Sequence, residues 1–339
     1  MWRKIGRAFG IMMGWGVIVA YIVYASHLAH EHRSLQRVEK VFISLPDSSD
    51  TQRFTSSEQI LRLLEQEGVP MKGALVDSID AVKIGDIIAK ESYVRDVDVY
   101  VTYTGELYID VRQHKPILRM LCGGLNSYVT ADGVVFRSPK GSSCYVPVVT
   151  GKYTPQFACD YEGRASNYYG SIIESEAERG RAIANELSEL HRKQEECAEY
   201  ISESSKTEAE KYKEKLSVLN LQEEQLITKQ RASDERKKKL EKKSEDFANL
   251  TNFVARVSAD AFWASEIVQI VADTTCMGEI SLRLVPRSGN FVIEFGTLGR
   301  SDAKLAKLRN FYDKGLSYMG WDRYKIVDIR YDKQIICTE

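Results

Sequence analysis

The sequence predicts an α+β protein in four parts. These are an amino-terminal transmembrane helix, a small strand–helix–helix–strand–strand domain, a mixed-sheet β domain, and a long antiparallel coiled-coil hairpin that interrupts the β domain. Three observations predict it. Residues 9–29 carry no Asp, Glu, Lys or Arg. Residues 38–113 switch between period-two runs and capped amphipathic runs. Residues 171–247 contain no Pro, and nearly half of them are charged. The whole chain has 339 residues, with 47 basic and 48 acidic side chains. That balance gives no global field to draw a polyanion, so no nucleic-acid partner is expected.

The uncharged stretch from Phe9 to Ala29 is long enough, at about 1.5 Å per helical residue, to cross a hydrocarbon core of about 30 Å. Arg3, Lys4 and Arg7 precede it with no acid among residues 1–8. The positive-inside bias therefore predicts a cytoplasmic tail over 1–8 and a location outside the cytoplasm for the bulk of the chain. The alternative is a cleaved signal peptide, but its apolar region would be shorter, and Ala25-Ser26-His27 is a poor cleavage site. Gly6, Gly10 and Gly14 share one helix face and are candidate residues for transmembrane packing.

Residues 30–115 read as one small domain. Val38 to Leu45 alternates as a strand. Thr55 and Ser56 offer N-caps with Glu58 and Gln59 three residues on, a capping-box pattern, and Ile60, Leu61, Leu63 and Leu64 supply the apolar face of the helix that follows. A second helix is predicted at about Ala81 to Lys90. Val94 to Tyr103 alternates, Thr104-Gly105-Glu106 turns, and Leu107, Ile109 and Val111 return as a third strand. The domain reads as a binding module, because its acids are scattered and His114 stands alone.

The β domain is expected in two pieces, 116–170 and 248–339. Asp132-Gly133 is a hairpin turn within Ser127 to Phe136, and Tyr145 to Gly151 is a further short strand. Ile280 to Leu284 and Phe291 to Phe295 alternate as paired strands around a Pro286–Asn290 turn. Ala303 to Met319 is an amphipathic helix with Leu305, Leu308, Phe311 or Tyr312, and Leu316 on its apolar face. Tyr324 to Arg330 alternates again, and Lys333 to Cys337 reads as a last strand.

Between the two pieces, 171–247 follows a heptad. One arm runs through Ile173, Gly180, Ile183, Leu187, Leu190, Gln194, Cys197 and Ile201. The other runs through Ala209, Tyr212, Leu216, Leu219, Leu226, Leu240 and Phe247. Ser202 to Thr207 separates them. Residues 174–203 carry nine acids and four bases, and 229–243 carry eight bases and three acids. Folding back therefore brings opposite signs together. The hairpin is either a solvated strut, a docking arm for a further partner, or a set of helices that pairs with another chain.

Cys122, Cys144, Cys159, Cys197, Cys276 and Cys337 lack metal-ligand spacing. Their pairing is open; Cys122 with Cys144 is the favoured pair, and buried free thiols are the alternative. There is no Gly-rich phosphate loop, no nucleophile–base constellation and no paired metal ligand. The expectation is a non-enzyme with no cofactor and no small-molecule substrate.

The order of these pieces resembles the bacterial cell-division proteins of the FtsQ/DivIB family. The resemblance rests on the single anchor, the small module followed by Pro116-Ile117, the YVTADGVVF hairpin and YVPVVTG. Phe262-Trp263, Glu279, Pro286, Phe295-Gly296, Phe311-Tyr312, Gly320-Trp321 and Tyr324 are spaced as in the Bacteroidetes type. It covers about residues 1–154 and 248–339, and the 171–247 segment departs from the usual pattern. The resemblance implies that the first domain is a POTRA domain. It further implies a divisome scaffold of the inner membrane at the septum, bound to FtsB and through it to FtsL, which helps coordinate septal peptidoglycan synthesis. It implies strand addition as the binding mode, with the partner edge at Arg330, Tyr331, Asp332, Lys333, Gln334, Ile335 and Ile336; Arg330-Tyr331-Asp332 matches the family residue by residue. The rival readings are a membrane-anchored coiled-coil tether and a POTRA-type envelope assembly factor.

Overall fold

The computed structural model describes residues 15–26, 36–46, 53–139, 141–203, 205–316, 320–321 and 323–339. Residues 15–26 are helical, and their apolar side chains, among them Trp15, Ile18, Tyr21 and Val23, are exposed. No helix among the described residues is long and apolar enough to cross a membrane. The ends of the predicted span, at 9–14 and 27–29, and the candidate seam of Gly6, Gly10 and Gly14 lie outside the described residues.

The chain forms two compact units, one of residues 1–114 with 138–145 and the other of residues 115–137 with 146–339. The first unit contains β1 (Lys40–Ser44), α1 (Ser57–Gln66), α2 (Ala81–Ala89), β2 (Val94–Val101) and β3 (Glu106–Gln113). Ser56 caps α1: its hydroxyl accepts from the Gln59 amide while the Gln59 side chain accepts from the Ser56 amide. This reciprocal pair satisfies two donors that a helix start otherwise leaves open. Asp80 caps α2 through the Lys83 amide. The strands lie in the order β1-β3-β2, with β1 parallel and β2 antiparallel to β3. Ile60, Leu64, Ile84 and Ile88 of the helices and Leu107, Ile109 and Val111 of β3 are buried, so the helices cover one sheet face.

The second unit is built on a ten-stranded mixed sheet. Its strands are β4 (Pro116–Met120), β5 (Ser127–Thr130), β6 (Val134–Arg137), β7 (Val148–Thr150), β8 (Gly163–Arg164), β9 (Ile267–Thr274), β10 (Ile280–Pro286), β11 (Val292–Thr297), β12 (Ile326–Asp328) and β13 (Ile336–Thr338). They lie in the order β13-β12-β11-β10-β9-β7-β4-β5-β6-β8. Gly133 takes φ +75° in the β5–β6 turn, the conformation an Asp-Gly turn uses. β7 and β9 are parallel neighbours, with Val148 opposite Gln269 and Thr150 opposite Val271. Between them in sequence the chain lays down β8 at the far edge of the sheet, then leaves the sheet and returns to it.

That excursion is dominated by α3 (Ala165–Glu203) and α4 (Lys206–Ala259), followed by α5 (Ala261–Glu266). Contacts such as Ser233 to Glu176, His191 to Glu223 and Tyr200 to Tyr212 place α3 and α4 antiparallel. The heptad positions are the ones withdrawn from solvent: Gly180, Leu190, Cys197, Leu219 and Ser233 are buried, and Ile183, Leu187 and Leu216 partly so. One expectation needs correction. The helices do not stop at 171 and 247, because Ala165, Tyr169, Phe247, Leu250, Phe253, Val254 and Val257 belong to the core under the sheet. Opposite signs do meet between the arms near their base, where Arg236 of α4 pairs with Glu176 of α3, and His191 reaches Glu223 across the hairpin. Among the described residues other Arg and Lys ion pairs of the two arms stay within one helix, as in Arg179–Glu176, Arg181–Glu174 and Lys237–Glu241. A polar layer adds to the crossing: the Gln194 amide donates to Glu223 at 2.8 Å and to Asn220 at 3.0 Å. Such a layer fixes register at some cost in stability.

The far part of the hairpin has its own cluster of Leu190, Cys197 and Leu219, separate from the core. Removing 177–232 and bridging Glu176 to Ser233 with a short Gly/Ser linker should therefore leave a soluble second unit. Its thermal unfolding should stay cooperative, with a midpoint within about 5 °C of the parent, since loop length alone changes stability little. A molten product in calorimetry would make the far hairpin part of the core.

No disulfide joins the six cysteines. Cys122 and Cys144, the favoured pair, are buried thiols in different units. Burial pushes the Cys122 thiol up to about 11 and raises that of Cys144.

Candidate partner-binding edge

β13 is the outermost strand at one edge of the large sheet, and the two-residue β8 lies at the other. It pairs antiparallel with β12 through Ile326↔Thr338, Val327↔Cys337 and Asp328↔Ile336. β12 in turn runs parallel to β11. Ile335 and Cys337 pack toward the core, while Ile336 between them is 41% exposed. One side of β13 thus carries the period-two alternation of a half-buried strand, and among the described residues its outer backbone has no neighbouring strand.

The sequence-predicted residues fall on two kinds of structure. Ile336 is in β13, but Arg330 to Ile335 are not strand, and residues 331–333 form a bend. Strand structure is therefore shorter than the alternation of Tyr324–Arg330 and Lys333–Cys337 suggested. Polar anchors explain the difference. Arg330 grips Asp328, with Nε donating to Oδ1 at 3.0 Å and Nη2 to Oδ2 at 2.6 Å, and its own amide donates to Oδ1 at 3.0 Å. Arg300 holds Asp332 in a hydrogen-bonded ion pair. Lys307 spends its ammonium donors on the loop itself, bonding the carbonyls of Ile329 at 2.8 Å, Tyr331, and Gln334 at 3.4 Å. These bonds tie down the loop where the chain bends between β12 and β13. Tyr331 is left 47% exposed rather than packed on the neighbouring helix.

The anchors sit on α6 (Ser301–Phe311) and its approach. Arg300 adopts φ +54°, a left-handed conformation unusual for a side chain of its size. Lys304 donates to the carbonyls of Phe295 at 3.1 Å and Thr297 at 2.6 Å. Burial lowers both lysine pKa values, with neighbouring charges adding smaller effects. Gly296 takes φ +74°, and a Cβ there would lie 2.8 Å from Arg330 Cγ. The glycine thus gives the Arg330 stem its bed. Arg300, Lys304, Lys307, Asp328 and Gly296 were not singled out as site residues from sequence. Only the Lys304/Lys307 spacing on one helix face and the Phe295-Gly296 pair could have signalled them.

Hydrogen bonds from Arg330 hold the Asp328 carboxyl below the usual carboxylate range, and those from Arg300 do the same for Asp332. A depressed folded-state pKa contributes stability that is complete above the ordinary aspartate value of about 3.9 and disappears as pH falls through the folded value. The Asp328→Asn variant should therefore be less stable than the parent at neutral pH in chemical denaturation. The gap between the two should close below about pH 4. A gap independent of pH would show that the Asp328 charge has no part in holding the loop.

The family-pattern aromatics gather behind this edge. The Tyr312 ring meets Phe262 at 5.5 Å, Trp263 at 5.8 Å and Trp321 at 5.5 Å. Its hydroxyl donates to Glu266 at 3.1 Å, and burial plus that carboxylate raise the phenol pKa well above its ordinary value. Of the two aromatic candidates at 311 and 312, Tyr312 is thus the one that faces the core. Arg309 covers the outer face of Phe262 at 3.7 Å. Among the described residues no group of His, Cys, Asp and Glu is placed to hold a metal ion.

A family model described as FtsQ/DivIB, C-terminal related, matches residues 210–338, and a POTRA-like domain model matches residues 36–112. The two matches support reading the chain as an FtsQ/DivIB-family protein. A search of curated proteins found no match to it. The first match begins inside α4, so part of the segment that the sequence reading set apart as an insertion lies within the family's own pattern. FtsQ/DivIB is a family of divisome-associated, non-catalytic scaffolds that work through protein interactions. The edge just described lies within the region that the FtsQ/DivIB model matches.

Proposed function

We propose that the chain is a non-enzymatic scaffold of the division site that captures an FtsB-type partner, and through it FtsL, by strand addition to β13. The single observation that carries this reading is the position of β13: outermost in a ten-stranded sheet, with Ile336 and Tyr331 exposed beside it. An added strand would draw affinity from backbone hydrogen bonds and specificity from alternate side chains. Arg330, Asp332, Lys333, Gln334 and Ile335 belong to this site as the fixed loop that presents the strand. Pre-ordering that loop lowers the entropy cost of capture.

The remainder of the reading follows the same logic. Residues 9–29 serve as a single inner-membrane span with the amino terminus cytoplasmic, supported by the uncharged stretch and by the exposed apolar helix at 15–26. Gly6, Gly10 and Gly14 offer a face for a second membrane helix. The α3–α4 hairpin is a coiled-coil strut, available to a further partner. The scaffold helps coordinate septal peptidoglycan synthesis by gathering partners at the septum.

The test is a photo-cross-linking amino acid placed at Tyr331 or Ile336 in dividing cells. Adducts with an FtsB-type protein support strand addition. Adducts between two copies of this chain, formed through the hairpin and not the edge, would support an oligomeric tether instead.

A further inference from the structure

The face of the three-stranded sheet opposite α1 and α2 carries a pattern fixed by strand register. Phe42 stands opposite Tyr108, and Tyr108 opposite Tyr100. Their rings stack across all three strands, at 4.9 Å for Phe42–Tyr108 and 5.3 Å for Tyr108–Tyr100. Phe42 is 40% exposed and Tyr100 48%. On one flank of this row Lys40 lies opposite Glu106. On the other flank Asp98 lies opposite Asp110, and beyond them Asp96 lies opposite Arg112. Arg112 reaches both Asp96 at 2.7 Å and Asp98 at 3.0 Å, so one cation serves two carboxylates. Asp110 has no ion pair among the described residues.

Two features of this face are unfavourable in isolation. Like charges directly opposite one another on a sheet repel. A contiguous exposed aromatic row loses the apolar burial that cross-strand stacking would otherwise complete. A single kind of visitor relieves both: a side chain with an apolar stem and a cationic head, its stem along the ring edges and its head at Asp98 and Asp110. We propose that this face of the POTRA-like sheet is a second docking surface, distinct from the β13 edge, whose occupant is a basic protein segment in which arginine or lysine alternates with apolar residues. Charge complementarity selects this occupant: the face carries four carboxylates, Asp96, Asp98, Glu106 and Asp110, against the two cations Lys40 and Arg112. An acidic or neutral apolar segment would leave the Asp98–Asp110 repulsion in place.

The test uses the full chain in detergent and a fluorescein-labelled octapeptide of alternating Arg and Leu, with an alternating Glu and Leu octapeptide as control, read by fluorescence anisotropy. The Arg-Leu peptide should bind saturably, and the Glu-Leu peptide should bind at least about tenfold more weakly. The Asp98→Asn, Asp110→Asn double variant should lose at least about tenfold in affinity for the Arg-Leu peptide, and so should the Phe42→Ser, Tyr100→Ser pair. All four positions are on the solvent face, and cooperative melting of each variant confirms that it is folded. Unchanged affinity in both folded variants, or equal binding of the two peptides, overturns the proposal. So does a parent chain that self-associates in sedimentation and becomes monomeric on Tyr100→Ser while peptide binding is unmoved, because the occupant is then a second copy.

Discussion

Proline at Ile336 should abolish capture of the FtsB-type partner while leaving the rest of the protein folded. Ile336 sits in a three-residue strand, so one missing N–H and one fixed φ disrupt a large part of it. The damage is confined because β13 lies at the sheet edge and pairs with β12, which keeps its parallel pairing with β11. Losing a strand-addition edge should lower partner affinity at least about tenfold, equivalent to about 1.4 kcal/mol. Ile336→Val, which keeps β-propensity and shape, should bind like the parent. The measurement is co-purification with the partner, followed by titration of the purified proteins. Undiminished capture by the proline variant would rule out β13 as the docking strand.

The largest stability effect should come from Gly151→Ala. Gly151 takes φ +113°, and a Cβ there would lie 2.2 Å from the carbonyl oxygen of Ala272 and 2.9 Å from its amide nitrogen. Both obstacles are backbone of β9, a central strand, so no side chain can swing aside. The same carbonyl accepts the Tyr153 amide at 2.9 Å, which ties the chain after β7 to the sheet. Overpacking against backbone should cost at least about 3 kcal/mol, or about 6–12 °C in melting temperature for a unit of this size. Gly133→Ala is the control: φ is also positive there, but nothing lies within 4 Å of the new Cβ, so the cost should be only about 1–2 kcal/mol. Equal destabilisation of the two variants would show that φ strain, and not the approach to Ala272, governs Gly151.

Features that depend on a few adjacent residues were legible in the sequence. Ser56 caps a helix because its side chain reaches an amide three residues on, and Gly133 turns a hairpin for equally local reasons. The heptad was legible too, since burial follows its spacing through Leu190, Cys197 and Leu219. Less was visible where one side chain acts at long range. Lys307 reaches carbonyls more than twenty residues away, and these contacts hold the bend between two strands that are shorter than their alternation suggested. The lower end of α4 was obscured for another reason. At Phe247, Leu250, Phe253, Val254 and Val257 the apolar stripe widens as the helix enters the core, and a heptad register alone does not report that widening. The adjacency of β7 and β9 carries no sequence signal, because it joins residues 121 positions apart, such as Val148 and Gln269.

That adjacency bears on how the molecule folds. Closing a loop of such length before any strand contact forms is slow. α3 and α4 shorten it: each grows locally, and their antiparallel docking returns Phe247 to the neighbourhood of Ala165, so the chain is brought back toward the sheet by zippering and not by random search. The polar layer at Gln194 and Glu223 then acts as a ratchet against slippage. Weakening it should therefore show first as slower refolding of the sheet and only later as lower equilibrium stability.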